Sequence, residues 1–92
     1  MQECRGWIVR SAAGRDKGML LCVTGQEGEY LLLADGKRRK AAAPKRKKVG
    51  HVDMVCRGTF QHPAIRKLED GLTVSDSELR RALGAFRDQG GN

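Results

Sequence analysis

Short apolar runs, each closed by a glycine or a charged turn, govern the first 55 residues. Gly6-Trp7-Ile8-Val9-Arg10-Ser11, Met19-Leu20-Leu21-Cys22-Val23-Thr24 and Tyr30-Leu31-Leu32-Leu33-Ala34 are too short for stable helices and read as strands one to three. A polar loop, Ala12-Ala13-Gly14-Arg15-Asp16-Lys17-Gly18, separates the first two, and Gly25-Gln26-Glu27-Gly28 turns the chain into the third. Asp35-Gly36 follows at once, the dipeptide of a two-residue hairpin. It predicts that residues 37–42 return antiparallel as strand four, that Pro44 ends that strand, and that residues 45–48 form a basic loop. Val49, Val52 and Val55 predict strand five over 49–55. Five short strands joined by tight turns imply a mainly β fold, a small open barrel.

Strand four carries a conflict. Side chains alternate faces along a strand, so Lys37, Arg38, Arg39 and Lys40 cannot all point outward. A short edge strand with a bulge, or one snorkelling side chain, is the expected resolution.

From residue 56 the pattern changes. Pro63-Ala64-Ile65-Arg66-Lys67-Leu68 predicts a short helical turn ending near Asp70-Gly71. Ser75-Asp76-Ser77-Glu78 has the form of a capping box. Leu79, Ala82, Leu83 and Phe86 follow on one apolar face, which predicts a helix over about 76–88. The expected organisation is a barrel over 1–56 and a C-terminal extension over 57–92 with that helix.

Charge is distributed as unevenly as hydropathy. The net charge is +7, and residues 1–55 carry 12 basic side chains against 6 acidic ones. Residues 37–48 hold eight bases in twelve positions and no acid. Such a cluster predicts attraction to a polyanion, nucleic acid foremost. The four aromatics, Trp7, Tyr30, Phe60 and Phe86, are too few for a base-stacking platform, with Trp7 and Tyr30 expected in the core. Phosphates and helix shape are then what such a chain can read.

Other classes find little support. No paired carboxylates, triad or phosphate-binding P-loop is visible, so an enzyme is not expected and no catalytic residue is assigned. Cys4, Cys22 and Cys56 stand far apart without a C-x-x-C pair, so free thiols are expected. Neither His51 nor His62 completes a zinc spacing with them, and no metal or other cofactor is expected. No apolar run approaches a membrane span and no signal-peptide pattern follows Met1, so a soluble cytoplasmic chain is expected.

The run Ile8-Val9-Arg10-Ser11-Ala12-Ala13-Gly14-Arg15-Asp16-Lys17-Gly18-Met19-Leu20-Leu21-Cys22-Val23 resembles a KOW motif, two strands flanking a glycine-containing basic loop. Leu33-Ala34-Asp35-Gly36-Lys37-Arg38-Arg39-Lys40 and Pro44-Lys45-Arg46-Lys47-Lys48-Val49-Gly50-His51 extend the likeness, which covers about residues 5–55. Together they resemble small bacterial KOW-domain RNA-binding proteins, which are similar to KOW-containing large-subunit ribosomal proteins. The resemblance implies an SH3-like barrel and binding to RNA, ribosomal RNA foremost, with the large ribosomal subunit as a candidate partner.

The residues themselves suggest how. Gly14 and Gly18 would let the loop present amides and the side chains of Arg15 and Lys17 to phosphate oxygens, with Asp16 bonding the loop's own backbone. Arg10, Lys37, Arg38, Arg39, Lys40, Lys45, Arg46, Lys47, Lys48 and His51 are the further expected contacts. The chain is expected to be a monomer when free. The competing expectation is a protein-interaction module of the transcription or translation machinery, using the barrel and the C-terminal helix.

Overall fold

Alternation of apolar side chains sets the two faces of the sheet. Along Ile8-Val9 and Leu20-Leu21-Cys22-Val23, successive residues enter opposite clusters, as the period of two requires. The computed structural model describes residues 4–90. Five strands, β1 (Ile8–Ser11), β2 (Leu20–Glu27), β3 (Tyr30–Ala34), β4 (Lys45–Lys48) and β5 (Val52–Cys56), form one antiparallel open sheet in the order β4-β3-β2-β1-β5. Two helices follow, α1 (Pro63–Glu69) and α2 (Asp76–Asp88). Among the described residues no helix is long and apolar enough to cross a membrane.

Two bulges curl the sheet. In β2 the register against β3 slips between Val23 and Gly25, and in β1 the register against β5 slips between Ile8 and Val9. Each extra residue adds local twist and bends the strand. One face of the sheet packs Val9, Leu21, Val23, Leu31, Leu33 and Val52, with the partly buried Trp7, Met19 and Met54 against them. The other face carries Ile8, Leu20, Cys22 and Ala34, and both helices cover it through Ile65, Leu68, Leu79, Leu83 and Phe86. Phe60 meets Phe86 edge to face at 5.2 Å.

The helices follow the sequence closely. Pro63 opens α1, and His62 Nδ1 accepts from the Ala64 amide as its N-cap. Ser75 and Glu78 form the expected capping box on α2. Lys67 Nζ donates to Glu78 Oε2 at 2.7 Å and ties the helices together. The Leu79-Ala82-Leu83-Phe86 face is buried, so α2 completes the core that the strands begin.

Strands two, four and five correct the sequence reading. β2 runs to Glu27 through its bulge, and the turn shrinks to Gly28 and Glu29. Residues 37–42 form no strand: 35–43 is an irregular loop, and the fourth strand is Lys45–Lys48, the segment expected to be a loop. The dipeptide Asp35-Gly36 makes no two-residue hairpin. Asp35 Oδ1 instead accepts from the Lys37 and Arg39 amides, both at 2.9 Å, and opens a wide loop. The cause is the conflict in residues 37–40, because a loop relieves four successive cations of alternation. Pro44, lacking an amide hydrogen, stands just before β4 rather than after a strand. Val49–His51 is a 3-10 turn, so the fifth strand starts only at Val52.

Candidate nucleic-acid interface

The glycines of the β1–β2 loop set its shape. Gly14 and Gly18 both take positive φ, +83° and +91°, where an L side chain would be strained. The Lys17 amide donates to Gly14 O, the Gly18 amide to Ser11 O, and Arg10 Nη1 to Gly18 O at 2.8 Å. Those two amides therefore serve the loop itself. Arg15 and Lys17 project from it, exposed.

Asp16 points the other way. Its side chain is buried, with Oδ1 accepting from Ser11 Oγ at 2.7 Å and from Lys47 Nζ at 3.0 Å, while Lys45 Nζ lies 3.6 Å from Oδ2. Burial disfavours the charged carboxylate, but the bonds from Ser11 and Lys47 and the charges of Lys47 and Lys45 outweigh it and hold the group at about 2. Asp16 thus braces the loop against β4 instead of bonding the loop's own backbone.

Alternation along β4 divides its four bases. Lys47 pairs in register with Leu31 and turns inward, 8% exposed, donating also to Ala13 O at 2.8 Å. Its ammonium is held by Asp16 and the Ala13 carbonyl, whereas the sequence predicts an exposed base there. Lys45 lies on the same face, half-buried at the rim. Arg46 and Lys48 take the outer face around Tyr30, the Arg46 guanidinium 3.9 Å from the ring centroid and paired with Glu27 at 3.2 Å. Tyr30 and Trp7 are half-buried rather than core residues, and Arg57 lies 5.9 Å from the Trp7 ring. His51 is exposed in the 3-10 turn, its carbonyl accepting from the Ala12 amide.

Loop 35–43 bears Lys37, Arg38 and Lys40 exposed and Arg39 half-buried. Asp35 holds it from inside, and α2 holds it from outside. Asp76 Oδ1 accepts from the Ala41 amide and Arg80 Nη1 donates to Gly36 O, both at 2.6 Å. Gly36 takes φ +79° with its α-carbon against the backbone of Asp76, where a Cβ would collide with the Asp76 carbonyl. Asp76 and Arg80 escaped the sequence reading. Nothing local announces that both reach a loop more than thirty residues away.

The folded loops bring the bases together. Arg15 from the β1–β2 loop, Arg38 and Arg39 from loop 35–43, and Lys45 from β4 line one cleft of about 280 Å³. Asp16 and Met19 complete its walls. Four cations around a concavity whose carboxylate is already paired can clamp phosphate oxygens, the guanidinium groups in a fork and Lys45 as a point charge. Arg10, Lys17, Lys37, Lys40, Arg46, Lys48 and His51 lie outside this cleft's lining.

No model of a known protein family matches the chain, and no curated protein matches it.

Proposed function

We propose that the protein is a non-enzymatic, KOW-type RNA-binding module with an SH3-like barrel, gripping structured ribosomal RNA by its phosphates. The observation that carries this reading is the convergence of Arg15, Arg38, Arg39 and Lys45, from three separate chain segments, on one cleft. Preorganisation supports it as well. The loop that supplies two of these bases is fixed by Asp35, Asp76 and Arg80 before any ligand arrives, which lowers the entropy lost on binding. With Tyr30 half-buried under Arg46 and Phe60 and Phe86 buried, recognition rests on charge and shape more than on stacking. The competing reading, partner docking by the C-terminal helix, is disfavoured because that helix lays its apolar face on the sheet. The proposal includes a cytoplasmic monomer that visits or resides on the large ribosomal subunit.

Titration of labelled ribosomal RNA across a salt series tests the proposal. Contact with about five to six phosphates gives log K a slope of about −4 to −5 against log salt. Absence of binding at low salt, or a flat salt response, overturns it. Sedimentation of lysate at low and high salt then shows whether the protein travels with the large subunit.

A further inference from the structure

Loop 35–43 has basic concavities on two sides. One is the cleft of Arg15, Arg38, Arg39 and Lys45. The other, about 150 Å³, lies between the loop and α2 and is lined by Asp35, Lys37, Arg80, Leu83 and Arg87. The two have no lining residue in common. Arg80, Leu83 and Arg87 follow at i, i+3 and i+7, a stripe along the side of α2 next to the loop. Leu83 is buried at the base of this stripe, and the two arginines stand exposed on either side of it. Asp35 offsets one charge there, but its Oδ1 is occupied by the Lys37 and Arg39 amides, and three bases remain against it. The stretch of loop that divides the two concavities is Lys37-Arg38-Arg39, with Lys37 on one side and the two arginines on the other, and α2 anchors the loop at Gly36 and Ala41.

We infer that loop 35–43 is a ridge that enters a groove of double-stranded RNA, each flanking cleft taking one of the two phosphate backbones. The inference rests on the RNA-binding reading and adds the form of the RNA. A single phosphate chain needs one basic track, whereas two tracks separated by a rigid ridge suit two chains separated by a groove. The wide, shallow minor groove of A-form RNA admits such a ridge, and contacts there are read through shape, 2′-hydroxyls and phosphates rather than base sequence. The helix thereby contributes directly to the interface through Arg87, and Lys37 faces the second strand while Arg38 and Arg39 face the first.

The test compares an RNA hairpin with a single strand of matched length and composition, by fluorescence anisotropy across a salt series. Three forms of the full chain are used: wild type, R15A/R38A for the first cleft, and K37A/R87A for the second. All four substituted side chains are exposed, and thermal melts check that each variant folds. On the hairpin, K37A/R87A is expected to bind about tenfold more weakly and to flatten the salt slope by about 1 to 2, while its binding to the single strand changes less than about twofold. R15A/R38A is expected to weaken binding to both RNAs. If K37A/R87A leaves hairpin binding unchanged, or weakens both RNAs equally, while R15A/R38A still weakens binding, the two-backbone inference fails and the RNA-binding reading stands. If wild type binds neither RNA, or R15A/R38A binds as well as wild type, the RNA-binding reading itself fails.

Discussion

Lys47 Nζ lies 3.0 Å from Asp16 Oδ1, and the two side chains, 8% and 7% exposed, join an edge strand of the sheet to the loop between β1 and β2. Such a pair adds little over a well-packed apolar replacement, but removing one partner leaves a buried charge short of its opposite: Asp16 keeps only Ser11 and the 3.6 Å contact to Lys45, and Lys47 keeps only the Ala13 carbonyl. Asp16→Asn should therefore cost about 3 kcal/mol in urea unfolding. Lys47→Ala should act in the same way, lowering stability far more than it alters contact with any ligand. An unchanged urea midpoint in both variants would show that the pair does not brace the fold.

The same carboxylate makes stability depend on pH. Its folded value of about 2 lies below the ordinary 3.8, so its contribution is complete above about pH 5 and is lost as pH falls towards 2. Glu78 titrates in the same window, held at about 2 chiefly by the Lys67 hydrogen bond and also by the Ser75 amide. The wild-type urea midpoint should fall between pH 5 and pH 2, and Asp16→Asn should remove the part due to Asp16. Parallel pH profiles for the two proteins would count against this assignment.

Gly36 is the tightest fit between the basic loop and α2. Gly36→Ala combines a left-handed backbone with a collision against the Asp76 carbonyl, and should cost about 2 kcal/mol or more. Arg80→Ala removes the side-chain tether from the exposed surface of a helix and should cost about 1 kcal/mol. Both should lower RNA affinity by loosening Arg38 and Arg39. Full affinity in Arg80→Ala would mean that the tether does not preorganise the loop.

Thiol chemistry distinguishes the cysteines. Burial, with help from the Asp35 charge, pushes Cys22 up to about 12, and Cys4 is 5% exposed. Cys56 is half-buried, with Sγ 3.2 Å from Thr59 Oγ1. A thiol reagent at pH 8 should modify Cys56 first in the folded protein and all three cysteines in urea. Fast native labelling of Cys22 would contradict the packing of α2 over the face of the sheet that bears it.

Truncation after residue 70 should abolish the cooperative melt. It uncovers Ile8, Leu20 and Cys22 and removes Leu79, Leu83 and Phe86 from the core. Those three side chains alone represent about 6 kcal/mol of apolar burial, comparable with the whole stability of a small domain. A truncated chain that melts as sharply as the intact one would show that the sheet folds without α2.

The sequence and the structure agree where local pattern decides the outcome. The apolar runs at Ile8-Val9 and Leu20–Val23, the capping box at Ser75 and the Leu79–Phe86 face all act within a few residues, and a strand or helix forms at each of them, although β2 runs on past its expected turn to Glu27. The fourth strand was illegible for the same reason. The strand at 45–48 pairs with β3 and turns two of its four bases inward, where Asp16, about thirty residues earlier, receives them. The Asp35-Gly36 signal pointed to a turn, but which turn depended on how residues 37–40 could escape alternation. Of the candidate site, the two glycine-bounded and basic segments were visible as charge. That Arg15 meets Arg38, Arg39 and Lys45 depends on how the loops fold over β4, and Lys47, on the same face as Lys45, stays out because Asp16 and the Ala13 carbonyl hold it inside.

The tether from α2 to loop 35–43 also has a consequence in time. Ala41 waits for Asp76 and Gly36 waits for Arg80, which the chain supplies 35 and 44 residues later. During synthesis the basic segment is therefore made well before the helix that shapes it. An emerging chain thus carries its positive charge early and acquires the fixed shape of that loop late.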